Sequence, residues 1–206
     1  MRNLFYLFLI LLVYNVPRPA QAAQPVILVL GDSLSAAHGI ERDQGWVQLL
    51  QNKLRKSGYP YKVVNASVSG DTTDSGLSRL PLALKQHRPA IVIIELGGND
   101  GLRGLSVDEL QRNLSRLIEL ARHGGAKVLL IRERLPPNLG EIYTAKFSQR
   151  FEIVSAQEQV PLVPFFLRGV AGDPSLMQPD GVHPNAKGQP RMLKNVWPIL
   201  KPLLKK

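Results

Sequence analysis

The chain has 206 residues, 44% of them hydrophobic, and a formal net charge of +10. This length and composition suit one folded domain with a sizeable core rather than a disordered or fibrous chain. The sequence has no cysteine, which excludes both a disulfide framework and a thiolate metal site.

The N-terminus has the pattern of a secretory signal peptide. Arg2 supplies the positive charge, residues 4–13 are apolar but too few to span a bilayer as a helix, and Ala20-Gln21-Ala22 is a small-x-small cleavage site. An uncleaved anchor is the alternative, but two prolines before the site favour cleavage. We therefore expect residues 1–22 to be removed, and residues 23–206 to form one periplasmic or secreted domain.

The positive charge allows a peripheral contact with an anionic membrane surface or binding of acidic substrates. The basic residues are scattered along the chain and no nucleic-acid-binding motif accompanies them, so we predict no nucleic-acid partner. The lysines of residues 201–206 are typical of a solvated helix end.

A buried strand is predicted at residues 26–30, where the run Val-Ile-Leu-Val-Leu stops at Gly31-Asp32-Ser33. Such a run is typical of a parallel strand that is covered on both faces. Open α/β sheets bind ligands beyond the carboxyl ends of their strands, so Ser33 is a candidate nucleophile. The alternative is that Ser33 only caps the following helix.

Helices and strands then alternate along the chain. Helices are predicted at residues 44–56, 73–87 (kinked or split by Pro81), 107–123 (opened by the capping box Ser106-Val107-Asp108-Glu109), 143–157 and a last one ending near Leu204. Strands are predicted at residues 61–64, 90–96, 127–131 and 160–165. The alternation predicts a three-layer α/β/α fold with a five-stranded parallel sheet of flavodoxin-like order 2-1-3-4-5.

Acyl transfer by a serine needs a base, and Asp180-Gly181-Val182-His183 supplies one. A carboxylate three residues before the imidazole can orient the ring and fix its tautomer. The other histidines are expected to be structural or exposed. His87 and His123 end helices, and His38 has only Asp43 nearby as an orienting partner.

Donors for an oxyanion are expected in the loops that follow neighbouring strands. The candidates are the amides of Ser33 and Gly70 and the side chain of Asn99. Gly70 could instead serve turn geometry, and Asn99 could form an Asx-turn. Because all of these loops meet at one edge of the sheet, we favour a shared catalytic role.

Four blocks of the sequence resemble, in order, those of the SGNH (GDSL) hydrolase family: Gly31-Asp32-Ser33-Leu34, Gly70, Gly97-Gly98-Asn99-Asp100 and Asp180-Gly181-Val182-His183. Residues 65–72 and 96–104 resemble more narrowly its bacterial acyl-CoA thioesterase I, arylesterase and lysophospholipase branch. The resemblance implies a metal-free serine esterase or thioesterase with a flavodoxin-like fold. It also implies a triad of Ser33, Asp180 and His183, and an oxyanion hole of Ser33, Gly70 and Asn99.

Four apolar residues near these blocks suggest a groove for an acyl chain: Leu102, Leu105, Pro136 and Leu139. The charges of Arg132-Glu133-Arg134, at the end of the fourth strand, are less typical of the family and bear on substrate preference. We expect a monomer that takes a small acyl ester or lipid and needs no cofactor.

Three other functions compete with this one. A carbohydrate deacetylase on the same scaffold would need aromatic residues that stack on sugars. A non-catalytic flavodoxin-like binder of phosphate or flavin would need a phosphate-cradling loop, and the sequence has no Gly-x-x-x-x-Gly-Lys pattern. A metallohydrolase could combine His183 with Asp32, Asp71 and Asp100, although these carboxylates suit loop caps better.

Overall fold

The computed structural model describes residues 24–206. The predicted signal peptide and its cleavage site therefore lie outside the described residues. No helix within residues 24–206 combines the length and the apolar character that crossing a membrane requires.

Five parallel strands form one sheet in the order β2-β1-β3-β4-β5, which confirms the predicted topology. Their bounds are β1 Val26–Gly31, β2 Lys62–Asn65, β3 Ile91–Glu95, β4 Lys127–Ile131 and β5 Leu162–Val163. Gly31 pairs with Glu95 at the carboxyl ends of β1 and β3. The loops that leave these central strands are therefore neighbours at one edge of the sheet.

Helices cover both faces of the sheet and make the three layers that the sequence predicts. They are α1 Trp46–Lys56, α2 Thr73–His87, α3 Gly98–Leu102, α4 Val107–His123, α5 Glu141–Gln157 and α6 Gln189–Leu200. Alternate residues of β1 pack into separate cores, Ile27 and Val29 with α1 and α6, and Leu28 and Leu30 with α2, α4 and α5. The Ser106 hydroxyl accepts a hydrogen bond from Glu109 N, which confirms Ser106 as the N-cap of α4.

The structure corrects two predictions about α2 and β5. Pro81 does not split α2, which is continuous from Thr73 to His87. Pro81 is exposed, so water can solvate the carbonyl that loses its helical bond. The last strand is only Leu162–Val163, because Pro161 and Pro164 lack the N–H groups that would extend its ladder.

Two further differences concern loops and helix ends. Residues 98–102, expected as a loop, form the short helix α3, which begins after Gly97 at a φ of 114°. A Cβ on Gly97 would lie 2.9 Å from side-chain atoms of both Leu110 and Phe151, so glycine is needed there. The last helix ends at Leu200 and continues as a 3-10 turn, because Pro202 lacks the N–H for the next helical bond.

Candidate active site

Three side chains form a hydrogen-bonded chain at the carboxyl edge of the sheet. His183 Nε2 lies 2.9 Å from Ser33 Oγ, and His183 Nδ1 lies 2.7 Å from Asp180 Oδ2. Ser33 does not cap a helix, contrary to the alternative interpretation. It begins a turn over residues 33–39, and the next α-helix starts only at Trp46. The hydroxyl is thus within reach of a base that is itself oriented by a carboxylate.

The loop that carries His183 is shaped by its own carboxylate. Asp180 Oδ1 accepts hydrogen bonds from the backbone N–H groups of Val182 and His183, both at 2.9 Å. These backbone donors and the His183 ring lower the pKa of Asp180 to about 2. Met177 and Pro184 form an antiparallel bridge that closes the loop onto the fold. Asp180 is therefore ionised at neutral pH and fixed relative to the ring.

His38 is exposed, as predicted, but it is also a neighbour of the reactive histidine. The centroids of its ring and the His183 ring are 4.5 Å apart. Gln178 connects the two segments, since its Nε2 donates to His38 O and its backbone N donates to His183 O. The two histidines are 145 residues apart in the sequence and share no motif, so this contact was not predicted. His87 and His123 lie at the ends of α2 and α4.

Two backbone amides near Ser33 are available to a ligand. In the part of the chain that the structure describes, no acceptor takes the N–H of Ser33 or of Gly70. Gly70 has a φ of 87°, a conformation that glycine adopts without strain. Its carbonyl is fixed by Arg103 Nη2 at 2.9 Å.

The side-chain amide of Asn99 is close to the same place but is held by two acceptors. Its Nδ2 donates to Asp71 O at 2.9 Å and to Asp32 Oδ2 at 3.1 Å. Asp32 Oδ1 in turn accepts from Leu34 N at 3.0 Å. An oxyanion would share an N–H of Asn99 with one of these acceptors. Asp32 thus links the nucleophile turn to the loop that carries Asn99.

The carboxylates of the competing metal hypothesis have other roles. Asp71 pairs with Arg79, and Asp100 accepts from Thr73 N at 2.9 Å and from Thr73 Oγ1 at 2.5 Å at the start of α2. Among residues 24–206, no three or more carboxylates and imidazoles are placed to hold a metal ion. Asp32 and Asp100 therefore accept from backbone N–H groups, as expected of loop caps, whereas Asp71 is held in an ion pair with Arg79.

A buried cluster of three carboxyl groups lies beneath the nucleophile turn and was not predicted. Asp32, Glu95 and Glu133 are 3%, 0% and 4% exposed. Glu95 Oε2 lies 2.5 Å from Ser35 Oγ and accepts from Asp32 N at 3.3 Å. Oε1 of Glu95 and Oε1 of Glu133 are buried and take no donor from the described residues. A proton held between the two carboxyls would satisfy both oxygens.

Burial raises the pKa values of all three carboxyl groups. It raises that of Asp32 to about 6 and that of Glu133 to about 8, the latter also because of the negative charge of Asp32. The pKa of Glu95 is raised well above its usual value by burial and then by the charges of Asp32 and Glu133. The cluster therefore retains protons near neutral pH. Of these three residues, only Glu133 lies in a stretch that the sequence singled out, Arg132-Glu133-Arg134, whose charges are less typical of the family.

A cleft of about 470 Å³ opens beside Ser33 and His183. Leu102 and Pro136 lie in its wall, together with Leu135, which was not predicted. Leu105 and Leu139 do not line the cleft. They are exposed nearby, and Tyr143 fixes the Leu105 loop by donating to Leu105 O at 3.0 Å.

The chain is similar to a known protein family and to several individual proteins. The sequence profile of the GDSL-like Lipase/Acylhydrolase family matches residues 29–191. "Esterase TesA" of Pseudomonas aeruginosa is 56% identical over 184 residues, which cover 89% of this chain and 92% of that protein. "Thioesterase 1/protease 1/lysophospholipase L1" of Escherichia coli is 41% identical over 202 residues, covering 98% and 93%. A crystal structure of TesA superposes with a TM-score of 0.85 at 56% identity, covering 87% of this chain and 99% of that one.

Proposed function

Because the chain belongs to the GDSL-like lipase/acylhydrolase family, whose relatives are esterases and thioesterases, we propose that Ser33, Asp180 and His183 are its catalytic triad. The chain is a hydrolase of carboxylic ester and thioester bonds. The observation that carries the assignment of residues is the hydrogen-bonded chain from Ser33 Oγ through the His183 ring to Asp180, with lengths of 2.9 Å and 2.7 Å.

The reaction follows from this geometry. Ser33 Oγ attacks the ester carbonyl carbon while His183 Nε2 takes the hydroxyl proton. Ionised Asp180 stabilises the imidazolium that forms. The tetrahedral intermediate collapses to an acyl-enzyme, and Nε2 returns the proton to the departing alcohol or thiol. Water then attacks the acyl-enzyme by the same route and releases the acid and the free serine.

The oxyanion of each tetrahedral intermediate would be stabilised by Ser33 N, Gly70 N and Asn99 Nδ2. The two backbone amides support this proposal because no described residue accepts from them. The contacts of Asn99 with Asp71 O and Asp32 Oδ2 hold its amide in place before the substrate arrives. Fixed donors need no reorganisation when the charge develops.

The acyl chain would lie along Leu102 and Pro136 in the cleft wall, and a longer chain would extend over exposed Leu105 and Leu139. A carbohydrate deacetylase is favoured less. Its sugar would need an open aromatic face, and the face of Phe165 in this cleft is covered by Arg134, 4.3 Å from the ring centroid.

We also propose how the enzyme is placed in the cell. It is exported after cleavage of residues 1–22 to the periplasm or the medium, where residues 23–206 work as a single-domain monomer without a cofactor. The signal-peptide pattern of the sequence supports export. The net charge, +10 for the full sequence and +8 after Arg2 and Arg18 are removed with residues 1–22, supports a peripheral contact with anionic lipid surfaces.

Substitutions of the triad test the proposal. We expect Ser33→Ala and His183→Ala to lose nearly all hydrolysis of p-nitrophenyl esters, because base and nucleophile act as a unit. Asp180→Asn should lose less, and His123→Ala, at the exposed end of α4, is a control that should remain active. Excess chelator should leave the wild-type rate unchanged. Full activity of Ser33→Ala would overturn the assignment.

A further inference from the structure

The positive charge of the chain is concentrated in two segments. Residues 44–70 and 181–206 contain ten lysines and arginines and no aspartate or glutamate, whereas the rest of residues 23–206 contains 14 basic and 16 acidic residues. The first segment spans α1 and β2, and the second includes α6. Since α1 and α6 share one hydrophobic core on the same face of the sheet, the fold brings the two segments together.

Seven of these ten cations lie where α1 and the last residues of the chain meet the amino ends of the strands. Lys62 N donates to Pro25 O, just before β1, at 2.9 Å. The C-terminal residues are tied to the same edge, since Lys127 Nζ at the start of β4 donates to Leu203 O at 3.1 Å. We call this surface the basic edge, and its cations are Lys53, Arg55, Lys56, Lys62, Lys201, Lys205 and Lys206.

Within residues 24–206, no side-chain carboxylate lies within 4 Å of a cation of the basic edge. The arginines that form ion pairs belong to α2, α4, α5 and the loop after β4. The helix dipole accounts for basic residues in the last turn of α1, but not for Lys62 on β2 or for Lys205 and Lys206 after the last helical turn. All seven cations except half-buried Lys53 are exposed. The basic edge therefore presents a positive potential that attracts an anionic surface.

Two half-buried aromatic side chains, Tyr59 and Trp197, lie among these lysines. Their rings meet edge to face, with centroids 6.1 Å apart. Lys53 Nζ lies 4.6 Å from the centroid of the Trp197 ring, and Lys206 Nζ lies 5.6 Å from that of the Tyr59 ring. Tryptophan and tyrosine are enriched at the headgroup level of a membrane, where one end of the ring meets apolar groups and the other meets water. The basic edge therefore fits a lipid surface better than a soluble polyanion.

We propose that the basic edge docks the enzyme on a bilayer that contains anionic phospholipid. This inference rests on the peripheral membrane contact proposed above, and it assigns that contact to one surface of the molecule. Ser33 follows the carboxyl end of β1, whereas the basic edge lies at the amino ends of the strands. The cleft of the docked enzyme therefore faces away from the lipid. Docking in this orientation involves neither the nucleophile nor an acyl chain in the cleft.

Co-sedimentation with lipid vesicles tests the inference. At low ionic strength the wild-type protein should bind vesicles of mixed phosphatidylglycerol and phosphatidylcholine, and it should not bind vesicles of phosphatidylcholine alone. A basic residue near an anionic surface contributes a factor of about five to the affinity. The variant that combines Lys56→Gln, Lys205→Gln and Lys206→Gln should therefore bind the mixed vesicles about 10²-fold more weakly than wild type.

The matched control combines Arg112→Gln, Arg116→Gln and Lys146→Gln. These three exposed cations lie on α4 and α5, on the other face of the sheet. The control variant has the same net charge as the basic-edge variant, and it should bind the mixed vesicles nearly as tightly as wild type. Hydrolysis of p-nitrophenyl acetate, measured in parallel, reports whether each variant is folded.

Equal losses of vesicle binding in the two triple variants would overturn the inference, because net charge rather than the basic edge would then drive the contact. If the wild-type protein binds no vesicles, the membrane contact itself is wrong, and retention on heparin in the same buffer would assign the basic edge to a soluble polyanion. Ser33→Ala separates docking from catalysis. It should bind the mixed vesicles as wild type does while it loses hydrolysis, so a failure of the docking surface leaves the triad untouched.

Discussion

At the scale of single residues, the side chain of Asn99 is the one proposed oxyanion donor that substitution can remove. The other two donors are backbone amides. Losing one donor of this kind typically lowers kcat by about 10²–10³-fold. We expect Asn99→Ala to show this loss mainly in kcat, because the interaction strengthens in the transition state.

Asn99→Asp should be worse, since it places a negative charge beside the developing oxyanion and beside Asp32 Oδ2, which loses the N–H that Asn99 donates to it. The competing view is that Asn99 only holds its turn through Asp71 O and Asp32. In that case Asn99→Ala would lower the melting temperature and leave kcat within a few-fold of wild type. Measuring both quantities on one variant distinguishes the two roles.

Glu133 predicts a pH-dependent stability. Its pKa rises from 4.5 to about 8 on folding. Between these values the folded chain holds a proton that the unfolded chain has lost, so the free energy of unfolding decreases as the pH rises from about 5 to 8. Glu133→Gln stays neutral at every pH. Its melting temperature should therefore exceed that of wild type by an amount that grows as the pH rises from about 5 to 8.

Calorimetry between pH 5 and 9 checks this prediction. Exposed Glu141→Gln is the matched control and should follow the wild-type curve. If the curves of Glu133→Gln and wild type run parallel over this range, Glu133 is not protonated in the folded state.

At the scale of elements, the segment from α3 to α4 should select the acyl chain. Leu102 lies in the cleft wall, and Leu105 lies further out, where Tyr143 fixes the backbone. Each buried methylene contributes on the order of 0.8 kcal/mol. Leu102→Ala should therefore lower kcat/KM about tenfold for long acyl esters and far less for acetate esters. Leu105→Ala should affect only the longest chains.

A series of p-nitrophenyl esters from acetate to palmitate measures both effects. Equal losses on all chain lengths would show that Leu102 supports the fold of the site rather than the acyl chain.

The elements themselves were largely predictable from hydrophobic period. The buried runs of β1 and β3 and the helical faces of α2 and α4 lie within two residues of their predicted bounds, because burial fixes both pattern and structure. The last strand is shorter than predicted because Pro161 and Pro164 end its ladder on both sides. The helix α3 depended on Gly97 packing against α4 and α5, a tertiary contact that local sequence does not encode.

The candidate site was also predictable only in part from the sequence. The sequence motifs pointed to Ser33, Asp180 and His183, and the structure brings these residues within hydrogen-bond distance. The contact between His38 and His183 and the cluster of Asp32, Glu95 and Glu133 join segments distant in sequence. Their side chains have no shared spacing or motif. Only the fold of the sheet brings them together.

At the scale of the whole molecule, export predicts the N-terminus of the mature protein. Cleavage after Ala22 would leave Ala23 as the first residue. Expression of the full chain in a Gram-negative host, followed by N-terminal sequencing of the periplasmic fraction, should return Ala23. A product that begins at Met1 and stays with the membrane would show that the segment is an anchor.

Covalent labelling tests the central claim, that Ser33 is a nucleophile activated by His183 and Asp180. A fluorophosphonate reacts with an activated serine and stays bound to it. Peptide mapping by mass spectrometry should find one adduct, on Ser33, in the wild-type protein and none in His183→Ala treated for the same time. Labelling of another serine, or equal labelling of Ser33 in both proteins, would contradict the account.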